Sequence, residues 1–139
     1  MIPPIKQPTN PIVFGYKSIL KDEYRKGNIP LVNGFYGGKL TPENVTLEHC
    51  EAHCRGGKNV LSNYVLTTAE NNVKRGSADI FEYATKENTE QYFKTFEKCD
   101  VGAVKGTDYL GMLSKTLRKL WRKSPFTKNQ EMWDVLKRY

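Results

Sequence analysis

Two short runs rich in β-branched and aromatic residues, Val45-Thr-Leu-Glu48 and Asn63-Tyr-Val-Leu66, flank a Gly56-Gly57 pair and lead directly into Thr67-Thr-Ala-Glu70. Runs of that length and composition read as strands, and the glycines between them as a turn. Thr67 and Glu70 stand three apart, the spacing at which a threonine hydroxyl accepts from the glutamate amide while the glutamate side chain reaches back. Strand, glycine loop, strand and capped helix predict a ββα unit over 44–77. A chain of 139 residues supports one hydrophobic core, so the rest must pack around that unit in a single α+β domain.

The flanks read as helical. Prolines at 3, 4, 8 and 11 make 1–12 an extended arm, because proline fixes φ and removes a donor. Tyr16, Ile19, Leu20 and Tyr24 recur at helical spacing over 14–26, and Gly27-Asn28 is the stop. Residues 33–44, with Asn33-Gly34, Gly37-Gly38 and Pro42, are turns feeding the first strand. Asn88 and Gln91 frame a second cap, giving a helix over 89–98 with Tyr92, Phe93 and Phe96 inward. The most strongly patterned segment is 108–123. Leu110, Leu113, Leu117, Leu120 and Trp121 share one face there, and Lys115, Arg118, Lys119 and Arg122 the other. Pro125 ends it, and 130–138 form a short last helix with Met132, Trp133 and Leu136 inward.

Charge narrows the partner. Twenty-two Lys and Arg against fifteen Asp and Glu give a formal +7, and nine basic but only three acidic residues lie in 105–139. A basic helical C-terminal part points to nucleic acid or another polyanion. A hydrophobic fraction of 38% with 27% charged residues excludes a disordered tail. No eighteen-residue apolar run exists and the Pro-rich start does not resemble a signal peptide, so the expectation is a cytosolic protein with no membrane partner. Three cysteines, Cys50, Cys54 and Cys99, then read as reduced thiols.

The chemistry concentrates between 45 and 76. Glu48-His49 closes the first strand, six residues separate it from Gly56-Gly57, Asn63 opens the second strand, and Asn72 follows nine residues on in the helix. A hard divalent cation prefers oxygen ligands and keeps several waters, so one carboxylate and one amide carbonyl suffice beside a phosphate. Arg55, Lys58, Lys74 and Arg75 surround these positions as candidate phosphate contacts. Glycine at 56 and 57 also lets backbone approach a phosphate closely.

This segment, about a quarter of the chain, resembles the ββα-metal motif of HNH endonucleases in the variant whose third signature residue is asparagine. It is also similar to the HNH domain of RNA-guided CRISPR nucleases in Asn63-x-Val-Leu-Thr and Asn72. The resemblance implies a nuclease that hydrolyses DNA phosphodiesters with one Mg²⁺ or Mn²⁺, leaving a 5′-phosphate and a 3′-hydroxyl. By the same resemblance His49 is the general base, Asn63 orients its ring, and Glu48 and Asn72 ligate the ion. Lys115, Arg118, Lys119 and Arg122 would extend the nucleic-acid surface. Small stand-alone HNH enzymes occur in phages and mobile elements.

The chain departs from the family pattern twice. Glu48 stands where aspartate is more usual, which adds a methylene to the ligating arm. The Cys-x-x-Cys knuckles of many relatives are missing, so no structural zinc is expected and packing must hold the unit. A Cys50, His53, Cys54 and Cys99 zinc site is the weaker alternative. Other readings of the same fold are a non-catalytic nucleic-acid-binding or interaction module, or an RNA-directed nuclease. A homodimer is the simplest way for one ββα unit per chain to cut both strands.

Overall fold

The computed structural model describes residues 19–101, 104–126 and 130–139. It is a mixed α+β arrangement in which helices surround a small antiparallel hairpin. Strand β1 (Val45–His49) pairs with β2 (Tyr64–Thr68) in a register that sets Val45 against Thr68 and His49 against Tyr64. Helix α2 (Ala69–Arg75) follows β2 directly and packs on both strands. Before the hairpin, residues 19–25 form helix α1, which Gly27 ends at φ 85°. The expected helix over 14–18 and the arm at 1–12 lie outside the described residues.

After α2 come α3 (Ile80–Tyr83), α4 (Lys86–Glu97), the two-residue strands β3 (Asp100–Val101) and β4 (Val104–Lys105), α5 (Gly106–Lys123) and α6 (Gln130–Leu136). The leucine stripe of α5 is the spine of the core. Leu110, Leu113 and Leu117 are fully buried, with Leu120 and Trp121 at the margin. Burying such a side chain stabilises the fold by roughly 1.5–3 kcal/mol before entropy is counted. Among the described residues, no helix is long and apolar enough to cross a membrane.

Polar groups tie the helices to the hairpin. The Leu66 amide donates to the Tyr92 hydroxyl at 3.0 Å, and the Tyr109 hydroxyl donates its one hydrogen to the Tyr64 carbonyl at 2.5 Å, so across the 2.9 Å between the two hydroxyls Tyr92 donates and Tyr109 accepts. Each hydroxyl has one direction open to it, so α4 and α5 are set against β2 in one orientation. Burial raises both phenols, which keeps them protonated and the chain intact.

Both helix starts differ from the sequence reading. Thr68, not Thr67, caps α2, its hydroxyl accepting from the Asn71 amide at 3.1 Å. Either threonine suits the cap; the ladder decides, because β2 runs on to pair Thr68 with Val45 and leaves Thr67 fully buried in the strand. Thr85, not Asn88, caps α4, three residues earlier than expected, since Lys86 and Glu87 are good helix formers. Short α3, capped by Asp79, and the β3–β4 hairpin are too brief to leave a periodicity.

The loop between β1 and β2 holds its glycines for steric reasons. Gly56, at φ 97°, ends a 3₁₀ turn at His53–Arg55. A Cβ on Gly57 would lie 1.8 Å from the Glu51 carbonyl oxygen and 2.6 Å from its carbon. Both are backbone atoms that cannot swing aside. Gly57→Ala is expected to cost about 2–3 kcal/mol, in the range of overpacking in a closed site. In urea unfolding the midpoint should drop with the slope unchanged.

Candidate active site

Strand β1 ends on Glu48 and His49, which alternation sends to opposite faces. Glu48 lies on the same face as Thr46, under α2, and is 4% exposed. Its Oε2 accepts from the Tyr36 hydroxyl at 3.1 Å and pairs with Arg75 Nη1 at 3.3 Å. Burial pushes this carboxyl above its ordinary value, and the Arg75 guanidinium and the Tyr36 hydroxyl pull it back. Arg75 does more than pair. Its guanidinium also donates to the His49 carbonyl, to Cys50 O at 2.8 Å and to Ala78 O at 2.6 Å, closing the end of β1 over α2.

His49 is half-buried. Its ring lies 4.9 Å from that of Tyr64, its cross-strand partner, and 6.2 Å from that of His53. Its Nε2 is 2.8 Å from Asn59 Oδ1. Asn72, half-buried on α2, donates from Nδ2 to Thr46 Oγ1 at 3.1 Å and to Leu47 O at 3.2 Å. The amide is thus fixed by the strand, and its oxygen is the end left over.

Asn63 is a clamp on the loop. Its Oδ1 accepts from the Glu51 amide at 2.8 Å, and its Nδ2 donates to Glu51 O and to Lys58 O at 3.1 and 3.0 Å. The side chain holding the His49 ring is therefore Asn59, while Asn63 shapes the loop that carries it. Nothing in the sequence set Asn59 apart from an ordinary turn asparagine. Tyr36 reads as a core or turn residue from sequence, and its bond to Glu48 depends wholly on the fold.

A hard cation asks for oxygen donors, and two are on offer. Both contacts of Glu48 fall on Oε2, and both side-chain bonds of Asn72 on Nδ2, so Glu48 Oε1 and Asn72 Oδ1 have no hydrogen-bond partner among the described residues. This donor set fits a divalent ion that completes its shell with water and phosphate. No hydrogen bond joins Glu48, His49 and Asn72 to one another. Among the described residues, no three His, Cys, Asp or Glu side chains gather as a protein-only metal cage would need. The thiols of the alternative zinc set are apart in character as well: Cys50 is buried with its pKa raised, Cys54 is exposed, and Cys99 donates to Thr95 O at 3.2 Å.

No family model, curated protein or solved structure matches this chain.

The basic candidates divide in two. Arg55, Lys58, Lys74, Lys115 and Lys119 face solvent. Lys58 and Lys119, sixty-one positions apart, line one cleft with Ser62 and Thr116, so the loop beside His49 and the polar face of α5 adjoin. Arg75 is 3% exposed and is not turned toward a phosphate; its donors are taken by Glu48 and backbone carbonyls. Arg118 donates to Ser114 Oγ at 2.9 Å and Leu136 O at 3.0 Å, and Arg122 lies 5.1 Å over the Trp133 ring. Those two join α5 to α6.

Proposed function

We propose that this protein is a metal-dependent HNH-type endonuclease, that its hairpin and α2 are a ββα-metal unit, and that it hydrolyses DNA phosphodiester bonds to a 5′-phosphate and a 3′-hydroxyl. The observation that carries the reading is the state of three side chains at motif spacing: a half-exposed imidazole held at one nitrogen, and a carboxylate and a helix amide that each keep one oxygen unengaged. His49 takes a proton from the attacking water, a role that suits an imidazole whose second nitrogen is held as a donor. Glu48 and Asn72 would hold one Mg²⁺ or Mn²⁺, whose Lewis acidity, when bound, stabilises charge on the phosphate and the leaving oxygen. Arg55, Lys58 and Lys119 bind the sugar-phosphate backbone and set its register without reading bases. Incubation with supercoiled plasmid should give nicked or linear product in Mg²⁺ or Mn²⁺ and intact DNA in EDTA. Intact plasmid in both metals at stoichiometric protein would overturn the proposal. A parallel single-stranded and double-stranded RNA panel decides the polymer.

One observation favours a second reading, a nucleic-acid-binding module without catalysis. The carboxylate that would take the cation is already opposed by a buried guanidinium at 3.3 Å. On that reading, mobility shifts with DNA are the same in Mg²⁺ and EDTA, and no cleavage accompanies them.

A further inference from the structure

We propose that Asn59 is a positioning residue for His49, fixing the imidazole hydrogen on Nε2 so that Nδ1 carries the lone pair for proton abstraction; this rests on the nuclease reading of the same site. An amide oxygen only accepts hydrogen bonds. With Asn59 Oδ1 2.8 Å from Nε2, that nitrogen must be the donor, and Nδ1 is the basic one.

Asn59 is not a loose loop side chain. The Tyr64 hydroxyl donates to the same Oδ1 at 3.2 Å, and the Tyr64 ring packs against His49 at 4.9 Å between centroids, tilted by 57°. Tyr64 is 2% exposed, and its carbonyl is held by Tyr109 from α5. The residue before Asn59 is pinned as well, since Lys58 O accepts from Asn63 Nδ2 at 3.0 Å. Asn63 therefore acts on the imidazole at one remove: it fixes the loop, the loop presents Asn59, and Asn59 with Tyr64 fixes the ring. Partners of this kind that orient an imidazole typically change function by about 10–100-fold when removed.

Ring-¹⁵N spectra of His49 test the proposal without any need for cleavage. At a pH where the ring is neutral, the protein should show the Nε2–H pattern alone. Asn59→Ala should show both tautomers in exchange, and Asn59→Asp, which keeps an oxygen in place, should restore the single pattern. In plasmid cleavage, Asn59→Ala should lower kcat by roughly 10–100-fold with little change in KM, and Asn59→Asp should recover most of the rate. Asn59→Ala gives up two hydrogen bonds at an exposed position, so the melting temperature should fall by several degrees at most and the protein should stay folded at the assay temperature. A hydrogen found on Nδ1, or identical spectra for the protein and Asn59→Ala, would overturn the proposal. If the unaltered protein cuts nothing, the nuclease reading fails separately, and the ring spectra still decide whether Asn59 sets the tautomer.

Discussion

Arg75→Met is expected to destabilise the protein by about 3–5 kcal/mol, the range for breaking a buried ion pair by removing one partner. Against the ~5–15 kcal/mol of a typical domain, that threatens folding at 37 °C. The substitution leaves the Glu48 carboxylate buried without its cation and strips donors from the carbonyls of His49, Cys50 and Ala78 together. The loss should depend on pH. Burial already raises the Glu48 pKa above its ordinary 4.5, and removing Arg75 takes away the largest opposing influence. A carboxyl that binds its proton more tightly folded than unfolded makes stability fall as pH rises from the unfolded value through the folded one. The deficit should therefore be smallest near and below pH 4.5 and widen as Glu48 ionises. Arg75→Met with Glu48→Gln should recover part of the stability at neutral pH, because the stranded charge has gone while the carbonyls remain unpaired. Thermal melts of the two variants across pH 4–8 are the measurement. A single variant as stable as the parent at pH 7 would show that the pair contributes little.

What was legible in the sequence follows the range of the interactions that decide each feature. The α5 stripe was legible because Leu110, Leu113 and Leu117 recur at the helical period and bury on one side, so local pattern and tertiary packing agree. The hairpin was legible for a similar reason: two short β-rich runs with glycines between them have few other solutions, and the strands fall at Val45–His49 and Tyr64–Thr68. The caps slipped by one and three residues because several hydroxyl and amide side chains suit each start, and only the ladder and the neighbouring helix formers choose among them. Arg75 was misread most. In Lys74-Arg75-Gly76 it looks like one more solvated charge, yet the last turn of α2 crosses the end of β1, where three carbonyls and a carboxylate await donors. Likewise Arg118 sits on a face that is polar in sequence but turns partly under α6, while Arg122 stays exposed and reaches over the Trp133 ring. Asn59 and His49 meet across a loop whose path depends on the Asn63 clamp and on the close approach of Gly57 to Glu51, neither of which has a sequence period.

His49→Ala is expected to reduce plasmid cleavage by roughly 10²–10⁴-fold, the usual worth of a positioned general base. The folding cost should be small. The ring is half-buried, and truncation forfeits its tilted contact with the Tyr64 ring and one hydrogen bond to Asn59, together about 1–2 kcal/mol. DNA affinity in EDTA should be nearly unchanged, because the phosphate contacts proposed for Arg55, Lys58 and Lys119 do not involve the ring. That combination separates a base from a structural residue: the rate collapses while melting drops only by several degrees and binding holds. The companion change at the neighbouring position must be chosen with care. Glu48→Ala would strand the buried Arg75 guanidinium, so a loss of activity would be indistinguishable from a loss of fold. Glu48→Gln keeps an oxygen for Arg75 and Tyr36 but puts an amide NH2 in place of the oxygen proposed for the cation, so its effect should be a higher Mg²⁺ requirement or loss of the metal response on a folded protein. Cleavage by purified His49→Ala at the parent rate would be fatal to the proposed chemistry, since the described residues place just one other imidazole nearby. That is His53, exposed and 6.2 Å from the His49 ring between centroids, and combining His53→Ala with His49→Ala would show whether it had taken over.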